Sequence, residues 1–397
     1  MWFGRIVGSW PWGRYVLIVA AQVVFWVCVL AVVYIYLGYP LTLILWRKRS
    51  PVAPSSNDAG ESATIVVAAH NEVRHIASTV RNKLTQAYPP RLIDVVVISD
   101  GSTDGTDEAI SELNDPRVTL LRQELRQGKT AALNRGVAAA RGDILVFSDA
   151  NSHYEPDAVA RLLAPFADPS VGYVTGRLVY EDPGETAVGG GSGMYMRYEN
   201  WLRRLETRVG SVVGVNGGID AVRRELFQPM RPDHLPDFIL PLRVVALGYR
   251  VVFEDTAVAR ETALGRQHDE FRMRVRVSLR ALHALWEMRH LLRPRHGLFA
   301  FQLLVHKVLR YLLFLAMLGA LVASALLVGH ALYTILFLTQ AGFYALALIG
   351  WLSGGRIRLR VVFVPFYFCL VNVAAGAALI RFLRGERQVL WTPRTGG

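Results

Sequence analysis

Two oxygen-bearing side chains, Asp149 and Asn151, stand two residues apart after the apolar run Ile144–Phe147. Such a run is typical of a strand buried on both faces in a parallel sheet. Open α/β sheets bind ligands where these strands end. Carboxylate and amide oxygens suit Mg²⁺ or Mn²⁺, which completes its shell with phosphate oxygens and water. The spacing therefore favours a metal–diphosphate site, with helix capping by the same residues as the alternative.

The chain has 397 residues, of which 52% are hydrophobic, and a mean hydropathy of +0.28. This balance predicts a soluble domain joined to membrane spans. The net charge of +12 is compatible with nucleic acid, anionic lipid or a phosphorylated substrate as a partner. Cys28 and Cys369 both stand in apolar runs and form neither a disulfide framework nor a zinc site. The soluble domain therefore fits a reducing compartment.

The N-terminal part of the chain reads as a membrane anchor followed by a linker. Residues 15–46 contain no charged side chain and predict one long span, disturbed near its end by Gly38–Pro40. The cluster Arg47–Arg49 follows, and the positive-inside rule places that end in the cytoplasm. Residues 50–62 are rich in proline and serine, as linkers are.

Strand and helix signals alternate from residue 63 to about residue 262, which predicts βαβ units and a mainly parallel sheet. The expected fold class is α/β, Rossmann-like, with α-helical transmembrane segments. The Gly-x-Gly-x-x-Gly loop is absent after the first strand, which argues against a dinucleotide oxidoreductase. The predicted strands are Thr64–Ala69, Asp94–Ser99, Val118–Leu121 and Ile144–Phe147, and the predicted helices span residues 70–86, 129–140 and 196–208.

The C-terminal part combines a basic helix with further apolar segments. From Glu270 onward, apolar residues and arginines repeat on separate helical faces, which predicts a helix lying on an anionic membrane surface rather than on nucleic acid. Residues 311–355 contain no Asp, Glu, Lys or Arg and predict two spans with a turn near Gly329. Residues 361–380 either cross the membrane or re-enter it. The predicted organisation is an anchor (1–49), a linker (50–62), a soluble domain (63–262), interface helices (263–306) and a membrane region with a basic tail (307–397).

Residues 64–72, 94–106, 128–151 and 214–224 resemble the ordered motifs of membrane-bound family-2 inverting glycosyltransferases. With Gly38–Pro40 and the tail segment Gln388–Trp391, the resemblance covers essentially the whole chain. It implies the glycosyltransferase A-type fold, which binds nucleotide sugars and a metal through a D-x-D motif. Here Asn151 replaces the second acid of that motif, so metal binding is expected to depend on Asp149 and the diphosphate.

The resemblance also implies a donor site. It places Glu72 and the backbone of Ala69 near the nucleoside, and Asp100 as the acceptor of a hydrogen bond from a uracil ring. Lys129 is expected to meet a phosphate. The alternatives are a helix-dipole carboxylate for Glu72 and a solvated side chain for Lys129. Similar enzymes often have two acids at the Asp100 position, and this chain has Ser99 at the first of them, which leaves the pyrimidine preference open.

The acceptor site and the base follow further along the chain. Gly217 and Gly218 resemble the floor of an acceptor pocket, with Trp201 nearby, and the glycine-rich residues 181–195 read as an acceptor lid or a linker. Asp237 stands where similar enzymes have an acidic pair at a helix start and is the predicted general base. Pro236 replaces the first acid of that pair, an N-cap role is the alternative for Asp237, and Asp233 is the fallback base.

Processive relatives carry a Q-x-x-R-W motif in the basic helix. Arg276 matches its arginine and is a candidate ligand of the diphosphate, whereas Met273 and Val277 replace the glutamine and the tryptophan. These replacements argue against chain-extending processivity. We therefore expect single additions more than polymer synthesis.

The sequence thus predicts an integral membrane glycosyltransferase of the bacterial inner membrane, with its catalytic domain in the cytoplasm. Its expected donor is a nucleoside-diphosphate sugar, with a UDP-sugar favoured, together with Mg²⁺ or Mn²⁺. Its expected acceptor is a lipid-linked glycan or a polysaccharide. Two alternatives stay open, a processive polysaccharide synthase and a non-catalytic scaffold that binds sugar nucleotides. The hypothesis requires that Asp100, Asp149 and Asp237 line a common cavity.

Overall fold

The structure is a computed structural model that describes residues 11–46, 60–181, 187–262, 267–354, 356–357 and 359–390. Several residues that the sequence analysis singled out lie outside these ranges. They are the basic cluster Arg47–Arg49, most of the predicted linker, Gly184 and Trp391.

An eight-stranded sheet forms the centre of the molecule, in the order β3-β2-β1-β4-β7-β6-β8-β5. The strands β3, β2, β1 and β4 run parallel to one another, whereas β7 runs antiparallel to both β4 and β6. The mainly parallel sheet predicted from the sequence is therefore confirmed. The strands are β1 Ala63–Ala69, β2 Ile93–Asp100, β3 Val118–Gln123, β4 Ile144–Asp149, β5 His153–Tyr154, β6 Val171–Glu181, β7 Ile219–Arg223 and β8 Arg250–Thr262.

Register brings the carboxyl ends of the central strands to one edge of the sheet. Ala68 of β1 is level with Asp149 of β4, and Ala69 is level with Ser99 of β2. All seven residues of β1 are buried, because helices cover both faces of the sheet. The end of β4 therefore presents Asp149 at the edge where open α/β sheets bind ligands.

Helices pack on both sheet faces, and the two large apolar cores lie between them and the strands. The helix predicted from residue 70 begins only at Ile76, because Asn71 adopts a left-handed conformation with φ of 55° and turns the chain first. The helices of this part of the chain are α3 Ile76–Leu84, α4 Thr106–Ser111, α5 Lys129–Ala139, α6 Ala158–Leu163, α7 Ala187–Val209, α8 Pro236–Ala246 and α9 Gln267–Glu287.

The glycine-rich stretch predicted as a lid or linker is helical where the structure describes it. Helix α7 begins at Ala187 and includes Gly189–Gly193. Each glycine disfavours helix by about 1 kcal/mol relative to alanine, so local propensity argued for a loop. Helix α7 packs against the later helix α13 Arg360–Leu383 and against α2 Tyr39–Leu45, and these contacts outweigh that local preference.

Three helical stretches are long and apolar enough to cross a membrane, among the residues that the structure describes. They are Gly13–Leu45, Ala331–Leu352 and Arg360–Leu383. The first consists of α1 Pro11–Val33, a π-helical segment Tyr34–Gly38 and α2, so the predicted disturbance falls at the π-segment. The other two are α12 and α13.

A fourth candidate span is a pair of helices bent by 58°. Leu298–Leu309 contains α10 Leu298–Leu303 and a π-helical segment Leu304–Leu309, and it is followed by α11 Leu313–Leu326. Gly329, with φ of 113°, turns the chain between α11 and α12, as the sequence predicts. Helix α9 packs against α13, which joins the apolar helices to the sheet domain.

Candidate active site

A cavity of about 320 Å³ opens at the carboxyl edge of the sheet, beneath α9 and beside the bent helix pair. Asp149, Asn151, Glu72 and Asp237 line it, so the predicted metal and base residues share one space. A second cavity of about 10 Å³ adjoins it and is lined by Asp149, Asp237 and Asp220 among others. The first cavity is large enough for several water molecules and opens to solvent.

Asp149 and Lys129 form an ion pair at the mouth of β4. Lys129 is the first residue of α5, which starts after Gly128 at the edge of the sheet. Burial lowers the pKa of Lys129, but the charges of Asp149 and Asp237 outweigh it and hold that pKa above its usual value. The ammonium group is therefore charged and stays beside the carboxylate, where it can also meet a phosphate.

The acidic groups around Asp149 repel one another. Burial, followed by the charges of Asp149, Asp104 and Glu261, raises the pKa of Glu72 to about 7. Such crowding is typical of a site that a cation completes. Within the described part of the chain, however, no group of three or more His, Cys, Asp or Glu side chains could hold a metal unaided. A metal here would need phosphate oxygens as further ligands.

Asp237 occupies the first turn of α8, directly after Pro236. Its carboxylate faces Gly217, where a Cβ atom would lie 2.7 Å from Oδ2, and Gly217 has a φ of 68°. Any other residue at position 217 would bring its Cβ too close to the Asp237 carboxylate and would have to adopt a backbone conformation that only glycine adopts readily. No hydrogen bond from another described residue engages the Asp237 carboxylate, which leaves it available to a ligand in the cavity.

A buried support holds the loop that carries Asn151. Lys83 is fully buried on α3, and its Nζ donates to the carbonyl of Ser152 at 2.6 Å. Ser152 Oγ in turn donates to Glu261 of β8. A Cβ at Gly218 would lie 2.8 Å from Glu261 Oε1, so this glycine also permits close packing of the loops around Asp149.

The contacts of Asp100 differ from the contact with a nucleobase that the resemblance implies. It is fully buried, and its two carboxylate oxygens accept hydrogen bonds from the backbone N–H groups of Gln127 and Gly128 at 2.7 and 2.8 Å. It does not line the 320 Å³ cavity. The prediction that the three aspartates line a common cavity therefore holds for Asp149 and Asp237 and is wrong for Asp100. The carboxylate of Asp100 orients the loop that precedes Lys129 instead of facing the cavity.

Comparison with known proteins identifies the domain. Residues 64–230 match the family model described as "Glycosyl transferase family 2". The chain carries a family 2 glycosyltransferase domain.

Curated relatives agree with this assignment. The chain is 24% identical over 240 residues to the "Probable glycosyltransferase YdaM" of Bacillus subtilis, a match that covers 57% of this chain and 55% of the relative. It is 28% identical to the "Beta-monoglucosyldiacylglycerol synthase" of Nostoc sp., over 41% of this chain and 36% of that one. It is 34% identical to the "Poly-beta-1,6-N-acetyl-D-glucosamine synthase" of Staphylococcus aureus, over 30% and 29% of the two chains. The chain thus spans about half the length of these relatives or less.

A solved structure shares the fold over nearly the whole chain. The "Mannosyltransferase PcManGT from Pyrobaculum calidifontis in complex with GDP-Man and Mn2+" has a TM-score of 0.71 and 21% identity. The alignment covers 94% of this chain and 99% of that chain. The glycosyltransferase A-type fold, together with the apolar helices that follow it, is therefore confirmed.

The basic helix α9 contributes to the 320 Å³ cavity. Arg274, Arg276 and Arg280 line the cavity, whereas Arg272 is exposed. Arg280 is buried and donates to the hydroxyl of Thr130 at 2.8 Å and to backbone carbonyls. The expectation that the arginine face lies on a membrane surface therefore fails for Arg280. Helical spacing groups the arginines correctly, but it cannot distinguish a lipid surface from a polar cavity.

Trp201 and Ala69, which were predicted to belong to the site, do not line the cavity. Trp201 packs beside Tyr198, with ring centroids 5.9 Å apart, in the apolar cluster between α7 and the first apolar stretch. It does not line the cavity. Ala69 is buried within β1, and its neighbour Ala68 lines the cavity instead. Gly217 lines both cavities, and Gly218 lines the smaller one.

Sequence reasoning missed several charged groups of the site. Asp220 on β7 lines the small cavity together with Asp237, and its Oδ1 has no hydrogen-bond partner in the described residues. Burial first, and then the charge of Asp237, raises the pKa of Asp220 to about 7. A carboxylate inside the apolar strand Ile219–Arg223 was the available signal. Lys307 was also missed, and the lone charge in an apolar segment was its signal.

Proposed function

We propose that this protein is a membrane-bound inverting glycosyltransferase that transfers a sugar from a nucleoside-diphosphate sugar to a lipid-linked or polysaccharide acceptor. The observation that carries the proposal is that Asp149, Lys129 and Asp237 line one cavity at the carboxyl edge of a family 2 glycosyltransferase sheet. A metal ligand, a phosphate-binding cation and a free carboxylate are the groups that such a transfer requires.

The donor end of the cavity is assigned to Asp149, Asn151, Lys129 and Glu72. Asp149 and Asn151 would hold Mg²⁺ or Mn²⁺ together with the donor diphosphate, and Lys129 would pair with a phosphate oxygen. The bound metal would supply Lewis-acid stabilisation of the charge that develops on the leaving diphosphate. The structurally similar mannosyltransferase was solved with GDP-Man and Mn²⁺, which supports a nucleotide-sugar donor and a divalent metal.

The nucleobase of the donor is favoured differently by the sequence resemblance and by the structurally similar mannosyltransferase. The resemblance favours uridine through Asp100, but both oxygens of that carboxylate accept backbone N–H groups. The similar mannosyltransferase carries a guanosine nucleotide. We therefore propose a nucleoside-diphosphate sugar as the donor class, with UDP-sugars and GDP-sugars as the two compounds to test first.

Asp237 is proposed as the general base. In an inverting transfer the acceptor hydroxyl attacks C1 of the donor sugar while the bond from C1 to the diphosphate breaks. The hydroxyl proton passes to a carboxylate on the acceptor side. Asp237 has no hydrogen-bond partner among the described residues and faces the cavity across Gly217, so it can accept this proton.

The apolar helices support a membrane location, with the sheet domain on the cytoplasmic side. Within the described residues, three stretches have the length and composition of spans, and the bent pair is a fourth. The cavity is lined by Val371 of α13 and Tyr311 beside α11 as well as by the sheet domain, so an acceptor could reach it from the bilayer. The proposed catalytic domain covers residues 63–262, of which the family model matches 64–230.

Nucleoside-diphosphate release by the purified full-length protein tests the proposal. Samples receive UDP- or GDP-sugars, with Mn²⁺, with Mg²⁺, or with EDTA. We expect release only with a metal, and its loss in both Asp149→Ala and Asp237→Asn. Wild-type rates in both variants would reject the mechanism, and donor that binds but is never consumed would indicate a scaffold.

Polymer synthesis is the second candidate, because one relative is a poly-N-acetylglucosamine synthase. Product length on a gel separates the two activities. A single added sugar supports the proposed transferase, whereas a ladder of products supports the synthase. The replacement of the Q-x-x-R-W glutamine and tryptophan by Met273 and Val277 favours the single addition.

A further inference from the structure

Lys307 brings a positive charge from an apolar helix into the glycosyltransferase cavity. It belongs to the π-helical segment Leu304–Leu309 of the bent helix pair. π-Helical turns insert an extra residue and often occur at functional sites. Lys307 lines the same cavity as Asp237 and Asp149, although it follows the sheet domain that contains them.

The ammonium group of Lys307 has no carboxylate within ion-pair distance among the described residues, although the charges of Glu199 and Glu206 act on it from further away. Its nearest aromatic neighbour is Phe238, whose ring centroid lies 5.7 Å from Nζ. No hydrogen bond or ion pair of Lys307 is found among the described residues. Other cations of the cavity do have such partners. Lys129 pairs with Asp149, and Arg274 pairs with Glu270 at 2.9 Å.

Arg203, another cation of the cavity, also has hydrogen-bond acceptors. Its Nε donates to the carbonyl of Gly214 at 2.8 Å, and its Nη1 donates to Asn200 at 2.6 Å. Lys307 is therefore a cation of the lining that still lacks an acceptor. An ammonium group in such a position is suited to a phosphate, which offers several charged oxygens to its three N–H donors.

The charges that line the cavity also favour the binding of an anion in addition to the donor. Its lining has six Lys and Arg side chains against four Asp and Glu side chains. A donor diphosphate and a divalent metal carry opposite charges of about equal size, so their binding leaves the positive excess in place. A second anion would balance it. The cationic residues are Lys129, Arg203, Arg274, Arg276, Arg280 and Lys307, and the acidic residues are Glu72, Asp149, Glu199 and Asp237.

One loop links Lys307 to the proposed base. A Cβ atom at Gly214 would overlap Nζ of Lys307, and a Cβ atom at Gly217 would lie 2.7 Å from Oδ2 of Asp237. The two glycines are three residues apart, so the loop brings the ammonium group and the carboxylate to the same side of the cavity. We take this as the acceptor side, because it carries the proposed base Asp237.

The walls beside Lys307 identify the source of the phosphate. Tyr311 and Val371 line the cavity and come from the apolar helices. Exposed leucine, isoleucine and valine side chains cover much of the outer surface of these helices, as expected for contact with lipid. A phosphate that reaches Lys307 along this path would be attached to an apolar chain.

We propose that Lys307 binds the phosphate or diphosphate group of a membrane-lipid acceptor and so sets the acceptor class of the enzyme. This inference rests on the proposed function. The acceptor hydroxyl lies beyond that phosphate and forms the new bond to C1 of the sugar. Its proton goes to Asp237, and the nucleoside diphosphate leaves. Lys307 is a binding residue for the acceptor and takes no part in the proton transfer.

Binding of three probes to the detergent-solubilised full chain tests the inference. The probes are farnesyl phosphate, farnesol and inorganic phosphate, measured by calorimetry in the presence of a nucleoside diphosphate and Mn²⁺. We expect wild type to bind farnesyl phosphate more tightly than either of the other two. Lys307→Gln should weaken farnesyl phosphate about 10- to 100-fold, as for a lost charge-assisted hydrogen bond.

Three variants make the result specific. Lys307→Arg keeps the charge and should retain most of the affinity. Gly214→Ala places a methyl group where Nζ lies and should weaken farnesyl phosphate without removing the lysine, which provides a test if Lys307→Gln does not fold. Arg272→Gln removes one exposed positive charge from α9 and should leave the affinity unchanged.

Several outcomes would overturn the inference. Equal binding of farnesyl phosphate by wild type and Lys307→Gln would remove the role of Lys307. Equal loss of farnesyl phosphate and of nucleoside-diphosphate binding would assign Lys307 to the donor. Inorganic phosphate that binds as tightly as farnesyl phosphate would exclude the lipid as the source. A separate measurement tests the proposed function itself, because wild-type protein without metal-dependent donor turnover would contradict that function and not the role of Lys307.

Discussion

Gly217 leaves room for the carboxylate of Asp237, since a Cβ atom at this glycine would lie 2.7 Å from Oδ2. The glycine also has a φ of 68°, a conformation that side chains with a Cβ rarely adopt. The loop and the first turn of α8 therefore fit together only when the position has no side chain. This contact fixes where the proposed base points.

Gly217→Ala should lower kcat by about tenfold or more, because even a small displacement of a catalytic group is costly. Steady-state kinetics on donor release measures the effect. Gly248→Ala is the matched control, since Gly248 has a φ of 92° and no atom within 4 Å of the added Cβ. It carries similar backbone strain without the contact to Asp237. Equal losses of activity in the two variants would show that strain, and not the position of Asp237, is responsible.

Asp237→Asn should lower kcat by about 10²- to 10⁴-fold, the usual contribution of a general base, with little change in donor affinity. Asp233→Asn is the comparison, because Asp233 was the fallback base. Its carboxylate binds Arg231 at 3.0 Å and Arg387 at 3.2 Å, and it does not line the cavity. Pre-steady-state release of the nucleoside diphosphate measures both variants. A larger loss in Asp233→Asn than in Asp237→Asn would move the base to Asp233.

Local sequence signals predicted several of the residues that meet at the carboxyl edge of the sheet. The strand that ends at Asp149 was recognisable from four apolar residues followed by an acid, and burial on both faces explains why the signal is strong. Lys129 and Asp237 stand at helix starts, where short motifs have a defined place in the fold. The structure brings all three to one cavity.

Long-range contacts account for what the sequence did not reveal. The hydrogen-bond partners of Asp100 are backbone N–H groups 27 and 28 residues later in the chain, and no pattern of side chains predicts these bonds. Lys307 lines the cavity together with Asp149 and Asp237, which come from an earlier part of the chain. Helix α7 includes glycines that favour a loop, and its packing partner α13 comes about 170 residues later.

Two substitutions at the D-x-D position should have opposite effects on metal dependence. Asp149→Asn removes the charged oxygen ligand and should raise the Mn²⁺ concentration for half-maximal activity by about tenfold or more. Asn151→Asp restores the second acid of the motif and should lower that concentration. Metal titrations of donor turnover measure both. A shift in the same direction for the two variants would contradict the assignment of these residues to the metal.

Asp220→Asn should change the pH dependence of stability. Burial raises the pKa of Asp220 from 3.8 to about 7 in the folded protein. Between these values the unfolded chain loses the proton that the folded chain keeps, so stability falls as the pH rises through this window and is level above it. Each pKa unit corresponds to about 1.4 kcal/mol, so Asp220 accounts for at most about 4 kcal/mol of this fall.

Thermal midpoints of the full chain at about pH 5 and about pH 8 check this expectation, because the two values bracket most of the window. The asparagine variant keeps the shape of the side chain and removes the titrating proton, so the difference between the two midpoints should shrink. Glu112→Gln is the control, since Glu112 is an exposed carboxylate and its loss should leave the difference unchanged. If Asp220→Asn retains the full difference between the two pH values, the titration of Asp220 does not account for the pH dependence of stability.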